Sequence, residues 1–329
     1  MVQKVFNYYI LPLSAKMIIF AFGMSKNLPI KNVVMEYISV LQFARKYGIS
    51  ERTARNYCAT GKIEGATLIG KTWSIPKSAQ LPVRKSRARK EMPLLVALRK
   101  EKEAKLKGGI YHRTQIDLTY NSNHIEGSRL THEQTRYIYE TNTIGVTNEN
   151  IRVDDILESV NHFRCIDFII ERADERLSEQ LIKEIHRILK NGTSDSNKEW
   201  FAVGDYKRLP NEVAGQETTL PENVAREIRA LLKEYNSIKR KSFEDIIDFH
   251  QRFEAIHPFQ DGNGRVGRLI MFKECLANGH VPFIITDELK LFYYRGLQEW
   301  VRVRGYLLDT CLTAQDCYKA LLDYFRIEY

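Results

Sequence analysis

The stretch from Phe243 to Asn278 constrains the fold most, because two helical patterns meet there across a loop that neither can absorb. Phe249, Phe253 and Ile256 recur at helical spacing and give the segment Phe243–Ile256 a buried face. Pro258 ends that helix, since its ring clashes with a continuing helix and disfavours helical geometry in the residue before it. A second helix is predicted from Arg265 to Asn278. His257 therefore stands at a helix terminus, facing the loop Pro258-Phe259-Gln260-Asp261-Gly262-Asn263-Gly264. Gly262 and Gly264, with Asn263 almost as tolerant, let successive backbone N–H groups converge on one point at a helix start. That is an anion site. Arg265 and Arg268 oppose the helix dipole, by about 0.3–1 kcal/mol each at exposed positions. Their presence in the first turn predicts a polyanion beside them. A lone carboxylate next to phosphates, here Asp261, is suited to Mg²⁺. His257 would supply a base near neutral pH.

In order, these residues read His-x-Phe-x-Asp-Gly-Asn-Gly-Arg-x-x-Arg, from His257 to Arg268. The run resembles the signature of the Fic (filamentation induced by cAMP) family, whose members are mostly protein adenylyltransferases, and the resemblance extends over about residues 105–329. It implies a mainly α fold: a Fic-type helical bundle with a small β-hairpin flap. It also implies Mg·ATP as donor and a target protein carrying a Tyr, Ser or Thr hydroxyl, which the enzyme itself could supply. Carried over residue by residue, His257 is the base and Asp261 the metal ligand. The amides of Gly262, Asn263 and Gly264 cradle phosphate oxygens, and Arg265 and Arg268 meet the outer phosphates. Asn211-Glu212-Val213-Ala214-Gly215 matches the family's flap, placing Val213 and Ala214 against the nucleotide. Tyr293 falls where the family has an aromatic near the nucleotide base; a core aromatic is its other reading. Donors other than ATP occur among related enzymes, and no residue here selects the base.

Far upstream lies Ser122-Asn123-His124-Ile125-Glu126-Gly127. The spacing of Ile116 and Ile125 predicts a helix ended by Gly127, with Ser122 and Glu126 on one face. A glutamate in a last turn has the wrong sign for the helix dipole, so an external cation is expected to hold it. The segment is similar to the family's inhibitory motif, in which the glutamate pairs with the second arginine of the signature, here Arg268. The resemblance implies self-restraint, and leaves open a reverse activity in which the same glutamate orients water to remove AMP.

The 329 residues divide in four. Residues 1–35 form an uncertain extension: Val5–Met24 is apolar but interrupted by Lys16, and Met24 and Met35 are alternative starts. Residues 36–82 read as a small winged helix-turn-helix. Ser39 and Ser50 cap two helices, and two strands turn near Gly70 before Trp73-Ser74-Ile75-Pro76. The segment resembles excisionase-type domains, which puts Arg52, Thr53, Arg55 and Asn56 on a face suited to DNA. Residues 83–107 read as a basic helical linker: ten basic residues against three acidic ones between Arg84 and Lys107 hold most of the net charge of +9. Residues 108–329 are the Fic-like domain, with further helices predicted over Ile151–Arg172, Ser178–Leu189, Pro221–Lys233 and Lys290–Arg304, and a hairpin within Gly204–Thr219. Five scattered cysteines without CxxC spacing argue for reduced thiols and a cytoplasmic protein, with no membrane partner expected and homo-oligomers open. A DNA-binding regulator that keeps the larger domain as a ligand sensor is the alternative reading.

Overall fold

The computed structural model describes residues 36–82, 92–145, 150–213 and 215–329. They fall into two compact units, divided between Arg87 and Ala88.

In the smaller unit, serine caps set the helix starts. After β1 (Tyr37–Ser39), Ser39 accepts from the Gln42 amide while the Gln42 side chain accepts from the Ser39 amide, opening α1 (Val40–Tyr47). Gly48, at φ 64°, makes the left-handed turn out of α1. Ser50 then caps α2 (Glu51–Ala59). The strands β2 (Thr67–Ile69) and β3 (Thr72–Pro76) form the expected hairpin. Their sheet has the order β1-β3-β2, and β1 is an addition that three residues of sequence did not announce. Val40, Phe43, Ala54, Cys58 and Ile75 form the core between helices and sheet.

The larger unit begins earlier than the charge pattern predicted. α3 (Pro93–Glu103) starts on proline and buries Leu94, Leu95 and Leu98 in the main core. The linker reading of this segment is therefore corrected: three leucines, each contributing about 1.5–3 kcal/mol when buried, outweigh a solvated basic face. Of the linker, residues 83–91 lie outside the described residues, as do residues 1–35. α4 (Ile110–Ile125), α5 (His132–Thr141), α6 (Val153–Glu171) and α7 (Glu179–Leu189) follow. A two-strand hairpin, β4 (Glu212–Val213) with β5 (Gln216–Glu217), forms the flap. α8 (Pro221–Ser237) and α9 (Phe243–Ile256) lead to α10 (Asn263–Asn278), the central helix, buried at every position from Asn263 to Leu276. It packs on α9, α7, α6 and α4. The helix predicted over Lys290–Arg304 ends sooner: α11 spans Lys290–Glu299, and a separate helix, α12 (Gly305–Phe325), follows. α12 folds back on α11, and Gly296 permits the close approach, since a Cβ there would lie 2.7 Å from the Leu307 Cα. The protein is mainly helical, and no helix among the described residues is long and apolar enough to cross a membrane.

Candidate active site at the start of α10

The loop between α9 and α10 is held by its own side chains. His257 closes α9 in the left-handed region, φ 52° and ψ 62°, and its amide donates to the Phe253 carbonyl at 3.0 Å. A non-glycine residue is uncommon there and costs of order 1 kcal/mol or more. Asn263 fixes the loop from the other side, accepting from the Phe259 amide at 2.7 Å and donating to the Phe259 carbonyl at 2.8 Å. Phe259 is buried, stacked on His186 with ring centroids 3.9 Å apart. The Nδ1 of His186 accepts from the Gly204 amide at 2.9 Å, so Nε2 carries the proton and donates to the Asp261 carbonyl at 3.2 Å. One neutral ring thus ties the loop to the segment that leads into the flap. Further stitches are the Lys207 amide on the Pro258 carbonyl (2.9 Å) and the Asn211 amide group on the Phe259 carbonyl (3.1 Å).

Gly262 takes φ 81° and opens α10, with no side chain hydrogen-bonded as its cap. Gly264 is required for a different reason. A Cβ there would meet the Glu126 Oε1 at 2.2 Å, because that carboxylate rests against the first turn of α10. An acid at this positive helix end is favourable.

Glu126, at the end of α4, is also the partner of Arg268. Arg268 donates to Glu126 Oε1 at 2.7 Å, to the Ser122 carbonyl at 2.8 Å and, through Nε, to the Ser122 hydroxyl at 3.1 Å. This is the cation that the misplaced glutamate called for. Gly127, at φ 94°, turns the chain away directly afterwards. Arg268 is 4% exposed, whereas the Glu126 side chain is 29% exposed.

Arg265 has anionic partners within the protein as well. Its guanidinium is buried and pairs with Glu158 and, at 3.0 Å, with Asp261 Oδ2. The buried Lys190 joins them, its ammonium 2.6 Å from Glu158, 2.8 Å from Asp195 and 2.8 Å from Asp261 Oδ2. Glu158 and Asp261 thus balance the Arg265 charge from within the protein. Glu158, Lys190, Asp195 and His186 were missed from sequence. Glu158 is on α6, His186 and Lys190 are in and at the end of α7, and Asp195 follows in the next turn, so Glu158 or Lys190 alone looks like any surface charge on an amphipathic helix.

Tyr293 is corrected: it is 1% exposed, its hydroxyl 2.6 Å from His250 Nε2, and belongs to the core cluster of Met271, Phe283 and Trp300. Helix periodicity turns 293 inward and leaves Tyr294 partly exposed, its hydroxyl donating to the Ile125 carbonyl at 3.4 Å beside Glu126. Val213 is exposed on the flap; Ala214 lies outside the described residues.

The electrostatics suit proton abstraction. Burial, then the nearby Lys207 cation, pull His257 down to about 4, against the Glu254 carbonyl, Glu126 and Asp261, so the ring is neutral at pH 7. Lys207 itself is buried, its ammonium 2.6 Å from both Asn211 and Thr218 at the two ends of the flap, and burial lowers it to about 8. Burial also pushes Glu254 up to about 8, although Arg268 opposes this. Asp261 behaves oppositely: burial disfavours its charge, but Arg265 and Lys190 hold it well below the usual carboxylate range. As a permanent anion with its side chain 49% exposed, Asp261 fits a single-carboxylate contact to a hard cation. No cluster of three His, Cys, Asp or Glu among the described residues could hold a metal alone, so phosphate and water would have to complete the shell.

In the smaller unit Arg52, Arg55 and Asn56 are exposed on α2, opposite the buried Ala54 and Cys58. Thr53 is instead half-buried in the cap, its hydroxyl 2.9 Å from that of Ser50, and Arg55 pairs with Glu51 at 3.3 Å.

Residues 176–275, from the start of α7 through most of α10, match the Fic/DOC family. Curated relatives named "Protein adenylyltransferase Fic" include one from Nematostella vectensis, 28% identical over 190 residues, and one from Drosophila melanogaster, 27% identical over 188 residues. These alignments cover 55% and 54% of this chain but only 42% and 36% of the relatives. Among solved structures, a Fic domain containing signaling protein from Bacteroides thetaiotaomicron aligns with a TM-score of 0.55 at 24% identity, over 68% of this chain and 92% of that one. Fic-1 from C. elegans gives 0.53 at 19% identity, over 71% and 72%. The fold is that of Fic proteins, and the sequence likenesses support a protein of the Fic family.

Proposed function

We propose that this protein is a protein adenylyltransferase restrained by Glu126. The observation that carries the reading is the placement of the Glu126 carboxylate on Arg268 and against Gly264, at the mouth of an anion-binding helix start that also holds a neutral histidine. In the reaction, a target Tyr, Ser or Thr hydroxyl gives its proton to His257 as its oxygen attacks the α-phosphorus of ATP. The bond from that phosphorus to the pyrophosphate oxygen breaks, leaving AMP on the target. Mg²⁺, when bound, would neutralise phosphate charge beside Asp261. The Gly262, Asn263 and Gly264 amides receive phosphate oxygens. Arg268 can bind either Glu126 or a terminal phosphate, so displacing Glu126 is the activating event. The DNA-facing reading of the smaller unit keeps one support, the exposed Arg52, Arg55 and Asn56 on α2 behind a strand hairpin.

The test is transfer of label from α-labelled ATP to the protein itself and to a lysate. Glu126→Gly is expected to raise transfer at least tenfold, and His257→Ala in that background to remove it by roughly 10³-fold, the scale of general-base catalysis. Equal transfer in wild type and Glu126→Gly would end the restraint hypothesis, and persistent transfer in His257→Ala the base assignment. Mass spectrometry for added AMP distinguishes the donor.

A further inference from the structure

Among the charged groups outside the signature, the most unusual is Lys190, 1% exposed at the end of α7. Three carboxylates converge on its ammonium, one from α6 (Glu158), one from the turn after α7 (Asp195) and one from the loop before α10 (Asp261). All three N–H donors of a lysine are thereby used. The cluster holds two buried cations, Lys190 and Arg265, against three carboxylates, with the more exposed Lys198 closing the outer oxygen of Asp195 at 2.6 Å. A buried ammonium of this kind persists only when it is fully paired.

What matters is which atom of Asp261 it takes. Lys190 and Arg265 both reach Oδ2, at 2.8 and 3.0 Å, and neither reaches Oδ1. The two cations come from different helices, so together they fix the carboxylate against rotation. We propose that Lys190 is a positioning residue for Asp261: with Arg265 it anchors Oδ2 and so presents Oδ1 to a divalent cation carried by a nucleotide. The proposal rests on the nucleotide reading above. A carboxylate free to turn would meet the cation with either oxygen and lose orientation on each exchange.

Binding, not turnover, tests this. Mn²⁺ in the presence of ATP is titrated into the Glu126→Gly protein and followed by the loss of its free-ion electron paramagnetic resonance signal. Lys190→Met in that background is expected to weaken Mn²⁺·ATP binding about tenfold, while ATP binding in EDTA, followed calorimetrically, changes less than twofold. Because removing one cation leaves three carboxylates crowded, the paired variant Lys190→Met with Asp195→Asn, which removes one charge of each sign, gives the same comparison in a protein that keeps its charge balance. Asp195→Asn alone, which leaves Lys190 on Asp261, is the reference against which the paired variant is read. Unchanged Mn²⁺·ATP affinity in the paired variant overturns the proposal. Tighter binding also overturns it, since Lys190 would then be competing with the metal. If the parent shows no metal-dependent ATP binding at all, the nucleotide reading falls first, and with it the role for Lys190.

Discussion

Arg265 and Arg268 lie one turn apart on the same buried helix, yet their surroundings differ in kind. Arg265 is enclosed by Glu158 and Asp261, and these carboxylates are themselves held by Lys190. Arg268 has one carboxylate, Glu126, reached from a separate helix end and still open to solvent on one side. The first arrangement is closed on itself and can be altered only by breaking several contacts together. The second rests on a single carboxylate, which in the proposed mechanism a terminal phosphate replaces. On that mechanism a helix start carries a fixed charge and an exchangeable one side by side, the fixed one surrounded by its own counter-ions.

The sharpest way to break this contrast is to remove the two acids in turn. Glu158→Ala leaves two buried cations short of an anion and should destabilise the protein by about 3 kcal/mol. Glu126→Ala should cost no more than about 1 kcal/mol while raising AMP transfer. Chemical denaturation of both variants measures this, and similar losses would make the Arg268 pair structural rather than exchangeable.

Acid comes next in size. His162, His186 and His250 are held neutral by burial, each lowered to about 3, and His257 to about 4. Unfolded histidines take up protons near 6.5, so the folded state is increasingly penalised as pH falls from about 6.5 toward 3. Glu254, raised to about 8, works the other way and favours the folded state as pH falls from about 8 to 4.5. Four groups against one predict a melting temperature that drops below pH 6.5. Transfer by the Glu126→Gly protein should stay flat from pH 8 to pH 6, because His257 is already neutral throughout. An acid limb centred near 6.5 would show that burial does not tune this ring.

The smallest effect belongs to the smaller unit. Arg55→Ala removes an exposed pair with Glu51 and should shift stability by less than about 0.5 kcal/mol. Any loss of DNA binding on a gel-shift with Arg52→Ala or Arg55→Ala would then be a surface effect, steep in salt. No binding by the wild type at low salt would remove the DNA reading.

Sequence exposed the signature loop because glycine, proline and histidine there act through backbone rules that hold locally. Glu126 was legible for a similar reason: a charge opposed to its own helix dipole announces a missing partner. Tyr293 and the partners of Arg265 were not legible because they depend on which way a helix faces and on what packs beside it, and Lys190 and Glu158 went unseen because their meaning arises only when α6, α7 and α10 meet. Leu94, Leu95 and Leu98 were outvoted by the basic residues before and after them, although three buried leucines decide where α3 goes.

Because α10 is buried from Asn263 to Leu276, the helix that starts at the signature loop is also the axle of the core. It has no indifferent side on which mutations can accumulate quietly. A change in side-chain volume at Leu269 or Phe272 would tilt the same rod whose first turn sets the spacing between His257 and the loop amides. In a scan of random substitutions, positions along α10 should lose catalysis and solubility together, while the ends of α4 and the flap should lose or gain activity in proteins that still fold.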